Sequence, residues 1–323
     1  MKTIGIVIPY FGKLPPFFQL WLRTAKSNSS IDFHIFTDDD SVFSDENIYV
    51  HRMTWSDMQK LASRPFDFNI ALAQPYKLCD FKPAFGLIFS EHLKKYDFWG
   101  YCDVSDLLLG DLRSFFTEDV LDRYERCQYL GHISLYRNNE RMNTLFMSQG
   151  KYPDLNYQDV FTTNDSCYFD EYRGMYAKCL VNDVKTFVET RWRDPQVNKD
   201  EFYDSRGRKF VVRWRGGHLM VCYEDSEVEI MYAHFFRRKF EIETVPQHLE
   251  SIKVTPRLVS FNSDVCKSDF DRPEPLFRIK YELSKIKKNK YDLIKTVERQ
   301  KWTRESDRYN NLLAEQYRKV NCE

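Results

Sequence analysis

Asp103 and Asp106 leave an apolar, aromatic run, Y-D-F-W-G-Y-C-D-V-S-D-L-L-L-G-D-L, at residues 96–112. The run reads as a buried strand. Carboxylates at the exit of such a strand are costly unless a cation meets them. A hard divalent ion, Mn2+ or Mg2+, is the usual partner and leaves room for phosphate oxygens. The chemistry this pattern points to is a metal–diphosphate corner; an Asp-rich turn capping the next helix fits the same letters. A second strand-like run delivers His234, followed by Arg237, Arg238 and Lys239. Imidazole with two carboxylates suits manganese, and cations beside it would neutralise a departing diphosphate. A buried histidine with surface cations is the plainer alternative.

Two further clusters carry polar chemistry. Lys77, Asp80 and Lys82 precede a run with helical apolar spacing (Phe85, Ile88, Phe89, Leu93). Basic residues at a helix entrance favour phosphate, and a solvated charged surface is the rival reading. Asp170 and Glu171 sit between aromatics in C-Y-F-D-E-Y, a composition that grips sugar hydroxyls while covering the apolar ring face. A salt-bridged turn explains the same letters. His132, with Ser134 on an expected strand over 129–136, reads as a core histidine.

These groups need a scaffold with strand ends on one edge. Residues 2–9 form a β-branched run without a polar break, the mark of a parallel strand buried on both faces. It ends in the loop Pro9, Tyr10, Phe11, Gly12. A helix is expected over 15–23 and a second strand over 31–36, closing on Thr37 and Asp38. Strand, helix and strand in about 40 residues place both polar strand ends on the edge where open α/β sheets bind ligands. A third strand is expected near 47–51, a helix capped at Thr54, a helix over 114–126, a helix from 137 to 147, and a hairpin across 209–223 turning at Gly216-Gly217. Residues 187–197 read as either helix or linker.

With 323 residues, 42% apolar and 16% aromatic, the chain has material for a large core. A net charge of zero gives nucleic acid no electrostatic footprint. The eight cysteines contain no C-x-x-C and read as reduced thiols. Met1 leads directly into a strand-like run with no secretory pattern, and no apolar run reaches the roughly 20 residues of a membrane span. A cytoplasmic location is expected. Residues 274–323 hold thirteen Lys/Arg against eight Asp/Glu, with Leu276, Ile279, Leu283 and Ile286 at helical spacing. That basic helical extension would either be solvated or lie peripherally on the anionic inner face of a membrane.

Taken in order, I-V-I-P-Y-F-G-K, I-D-F-H-I-F-T-D-D, Y-K-L-C-D-F-K-P-A-F-G, F-W-G-Y-C-D-V-S-D-L-L-L-G-D-L, G-H-I-S-L-Y-R-N, F-D-E and Y-A-H-F-F-R-R-K resemble bacterial GT-A glycosyltransferase-like proteins of polysaccharide biosynthesis. The motifs span roughly residues 4–240. The resemblance implies an α/β, GT-A-like Rossmann-type mixed sheet over 1–273, followed by the extension. It also implies a UDP-type nucleotide-sugar donor, a glycan or lipid-linked acceptor, and a divalent metal on an Asp-x-Asp motif. Asp103-Val104-Ser105-Asp106 departs from that motif by one residue. By the resemblance, Pro9 to Gly12 and Thr37-Asp38 meet the nucleoside, while Lys77, Asp80 and Lys82 face ribose and phosphate. Asp170 and Glu171 lie near the sugars, with a base role if the reaction inverts, and His234 lies near the metal. A nucleotidyltransferase and a non-catalytic carbohydrate- or nucleotide-binding protein are the alternatives.

Overall fold

The computed structural model describes residues 1–148, 155–195, 201–204, 206–235, 238–246 and 248–270, with Tyr172 and Arg173 described in backbone only. The expected basic extension over 274–323, its membrane contact and Arg237 lie outside the described residues. The chain is a mixed α/β protein that divides into two compact units, Met1–Thr190 and the part from Arg191 onward.

In the first unit β1 (Ile4–Pro9), β2 (Ile31–Thr37), β3 (Ile48–Arg52) and β4 (Phe98–Cys102) run parallel. The sheet order is 3-2-1-4, continued by strands described below. Ile4, Ile6, Val7 and Ile8 are all buried, which is why β1 carries apolar residues on both faces. Each such side chain contributes roughly 1.5–3 kcal/mol when fully buried. α1 (Phe18–Lys26) buries Phe18, Leu20, Trp21 and Ala25, the stripe that its apolar spacing predicts. α2 (Trp55–Ser63) opens on a capping box between Thr54 and Asp57, as the sequence predicts.

Three sequence expectations change. The helix expected after Lys82 is broken into Phe85–Ile88 and Ser90–Leu93, because Phe89 leaves helical geometry (φ −104°, ψ 22°). The helix expected over 114–126 contracts to Glu118–Arg123, started by the Thr117 hydroxyl accepting from Val120 N and ended at an extended Tyr124. The single strand expected over 129–136 is a hairpin. After β5 (Leu107–Leu109), β6 (Arg126–Leu130) turns through Gly131-His132 into antiparallel β7 (Ile133–Arg137), which pairs with β4. His132 is therefore a turn residue. Gln128 at φ 68° marks a β-bulge in β6. β8 (Thr186–Phe187) closes this seven-stranded sheet, and residues 188–195 contain no helix, which leaves the linker alternative for that stretch.

The second unit holds a six-stranded sheet. β9 (Val211–Arg215) and β10 (His218–Cys222) form the expected hairpin. Its turn needs glycine, since Gly216 and Gly217 have φ of 56° and 91°. β11 (Glu227–Glu229) pairs with β10, and β14 (Ser251–Val254) pairs with β9 and with β15 (Leu258–Phe261). β12 is Tyr232–His234, and β13 (Glu241–Ile242) pairs with β15. No helix among the described residues is long and apolar enough to cross a membrane. The described cysteines are all free thiols, as their spacing predicts.

Candidate functional site

The strand order makes one edge special. From β1 the chain builds outward through β2 and β3 on one side, while β4 lies on the other. β1 and β4 therefore flank a topological switch point, where the outward-running loops leave a crevice beyond the strand ends. Pro9 ends β1 and Asp103 follows β4 at this place, with Val7 paired to Tyr101 just before them. Carboxylate chemistry emerges from the apolar sheet here because β4 is buried through Cys102 and no further.

Asp103 does not stand alone. Its Oδ1 lies 2.9 Å from Lys82 Nζ, and its backbone N donates to His132 O at 2.8 Å. Lys82 Nζ also donates to Gly131 O at 2.8 Å and lies 3.2 Å from Asp170 Oδ2. The ammonium sits over the Tyr101 ring, 5.2 Å from its centroid. Three segments thus converge on the cation carried by the turn Lys82–Ala84: the end of β4, the β6–β7 turn and the loop ending at Asp170. Gly131 leaves room for that convergence, and a larger residue would push the Asp170 carboxyl aside. A Cβ there would fall 2.4 Å from Asp170 Oδ2 and 3.4 Å from Lys82 Nζ.

Burial grades the three charges. The side chains of Asp170, Lys82 and Asp103 are 6%, 10% and 29% exposed, so Asp103 is the member that faces solvent. Burial opposes the charge on Lys82, but Asp103 and Asp170 outweigh it and hold its pKa well above the ordinary lysine value. Burial pushes the Asp170 carboxyl upward against the pull of Lys82, and the Asp103 charge adds to the rise. The Tyr101 hydroxyl is also pushed up, mainly by burial. The group presents the Asp103 carboxyl at the rim, with the Asp170 carboxyl on the same ammonium behind it.

Lys77 and Asp80 form a separate buried pair. Lys77 Nζ lies 2.8 Å from Asp80 Oδ2 and donates to Asp165 O at 2.6 Å. Asp80 accepts from Cys167 N on Oδ2 and from Phe169 N on Oδ1, both at 2.9 Å. Both residues are essentially inaccessible. Their polar atoms are spent on residues 165–169, the loop that delivers Asp170.

The remaining residues picked out by sequence scatter around the crevice or beyond it. Asp38 Oδ1 accepts from Gly12 N at 2.8 Å, tying the loop after β1 to the end of β2. Phe11 is buried against Trp55, and Thr37 is buried with its hydroxyl accepting from Asp39 N. Burial first, and then the charge of Asp106, push the Tyr10 hydroxyl up. Asp106 also accepts from the Ser105 hydroxyl. Glu171 is half-buried next to Asp170. His234 belongs to the second unit, where its Nδ1 lies 3.5 Å from Asp194 Oδ1; Lys239 is exposed there. Sequence reasoning did not pick out Gly131 or Tyr101. The signal for Gly131 was the glycine between two strand-like runs, and Tyr101 looks like any core aromatic.

A family model described as a family of unknown function (DUF6625) matches residues 6–262. The chain belongs to that family. No curated protein matches it.

Proposed function

For this member of a family of unknown function, we propose a GT-A-type glycosyltransferase. It would move a sugar from a nucleotide-sugar donor, a UDP-sugar, to a glycan or lipid-linked acceptor in surface polysaccharide synthesis. The observation that carries the reading is Asp103 at the β1–β4 switch point, backed by Lys82 and Asp170. Nucleotides bind at such crevices in open α/β sheets. The motif series described above adds the donor class.

The donor set has the character expected for a hard ion. Asp103 keeps one oxygen on Lys82 and is partly exposed, and Asp106, three residues on, is partly exposed as well. Oxygen ligands this few suit Mg2+ or Mn2+ shared with phosphate oxygens. When bound, that ion would supply Lewis-acid stabilisation of the leaving diphosphate. The protein's own residues do the rest. Lys82 fixes the Asp103 rotamer and adds positive potential behind the diphosphate. Glu171, half-buried at the rim, takes the proton of the acceptor hydroxyl if the reaction inverts. Asp170, too buried to meet the acceptor, holds Lys82 in place. Tyr10 closes the crevice wall against the nucleoside.

The Lys82 ammonium already meets the Asp103 carboxylate, and this ion pair favours a second reading, a non-catalytic nucleotide- or carbohydrate-binding protein. Titration calorimetry with UDP and manganese tests the leading one. Asp103→Asn should fold normally and lose manganese-dependent UDP affinity; undiminished affinity would remove the reading's centre. Hydrolysis of UDP-sugars by the parent, with and without manganese, separates transferase from binder.

A further inference from the structure

A groove of about 730 Å3 lies in the first unit between the end of α2 and residues 66–73, with Asn164 on its far wall. This volume falls in the range of ligand sites. We propose that it binds a neutral glycan chain, the acceptor of the transfer reaction; the direction of that inference rests on the transferase reading, whereas the binding itself does not.

The lining is matched to sugar. Phe66 and Phe68 form an aromatic shelf, with ring centroids 5.5 Å apart, anchored on Phe161 and Tyr157. Both rings are partly exposed. Flat apolar faces of this kind cover the C–H face of a pyranose. Asp67 and Asn69 alternate with them on the exposed side and make no side-chain hydrogen bond among the described residues. They offer an acceptor carboxylate and an amide that both donates and accepts, the set that reads hydroxyl groups. Charge argues against an anionic ligand. Lys60 at the rim is paired with Asp57 at 3.6 Å, and the carboxylate of Asp67 remains.

The groove is built rather than loose. Gln59 Nε2 donates to Leu72 O at 2.7 Å, Ala71 N to Phe161 O at 2.6 Å, and Ala73 N to Asn164 Oδ1 at 3.2 Å. Asn164 begins the same loop that Lys77 and Asp80 hold and that ends at Asp170. That loop also exposes Tyr168, which is 59% accessible at φ 55°. A chain seated on the shelf therefore has a protein path of seven residues, 164–170, leading to the carboxylate cluster.

The test is retention of the full-length protein on an array of neutral hexose and N-acetylhexosamine oligosaccharides, with uronic-acid oligosaccharides as the anionic arm. At least one neutral oligosaccharide should be retained, and titration with it should show Phe68→Ala weakened by about tenfold or more. Asn69→Ala, an exposed change that leaves the fold intact, should weaken it in the same direction. The groove proposal is overturned if no neutral oligosaccharide is retained, if both variants bind like the parent, or if only the anionic arm binds. UDP binding in parallel keeps the two readings apart. Glycan bound through Phe68 without UDP affinity sinks the transferase reading alone, and UDP affinity with no glycan retained sinks the groove alone.

Discussion

Two lysine–aspartate clusters lie five residues apart in sequence and behave differently. Lys77–Asp80 is sealed: both side chains are at most 1% exposed, and the polar atoms meet each other and three backbone groups. Lys82–Asp103–Asp170 is graded from buried to open, with Asp103 at the crevice. The first cluster has no spare hydrogen-bonding capacity facing solvent, so its role is to fix a loop. The second keeps a carboxylate at the rim and places two carboxyl groups on one cation. The comparison teaches that composition does not separate a strap from a site. Which atoms remain accessible after packing does.

The contrast can be broken most forcefully at Asp80. Asp80→Ala leaves the Lys77 ammonium buried without its carboxylate and frees two backbone N–H groups. Chemical denaturation should show a loss of about 3–5 kcal/mol. A loss below about 1 kcal/mol would mean that the pair is no strap. Lys82→Met should cost the fold less, because Asp103, the nearer of its two carboxyl partners, reaches solvent. It should instead lower donor hydrolysis by about 10²-fold or more, as removal of a preorganised charge does. Lys82→Arg should not restore it, since a forked guanidinium does not fit a point-charge site. Activity close to the parent's in Lys82→Met would put the two clusters in one class.

A finer test uses pH. The folded-state pKa of Asp170 lies above its ordinary 3.8. The folded protein therefore keeps a proton that the unfolded chain has released. This contribution to stability is fully present below the unfolded pKa and is lost as pH rises through the folded value. Asp170→Asn should flatten that part of the stability–pH curve. Identical curves for Asp170→Asn and the parent would mean that burial does not raise the Asp170 carboxyl. The smallest effect is expected at Asp106→Asn. Stability should stay within about 0.5 kcal/mol of the parent, and UDP affinity should fall less than in Asp103→Asn. An equal fall would show that both acids hold the ion.

The sequence by itself determined the local pieces. An unbroken β-branched run gave β1, because a strand buried on both faces favours apolar side chains on both; β2 was legible from its apolar residues although it also carries Asp32 and His34. Thr54 and Asp57 satisfied the free amides at the start of α2, and Gly216-Gly217 supplied the positive φ a tight hairpin needs. Asp103 was legible because an apolar strand ending in an acid is locally anomalous. The tertiary structure decided its partner. Lys82 is 21 residues before Asp103, and the Gly131 carbonyl it also binds is 49 residues after it. These groups meet only because β6 and β7 fold back at Gly131-His132 and because Lys77 and Asp80 clamp the loop before Asp170. Propensity acts over a few residues and fixes strands, caps and turns. The identity of a buried ion pair depends on which loops pack together, and no single segment carries that information.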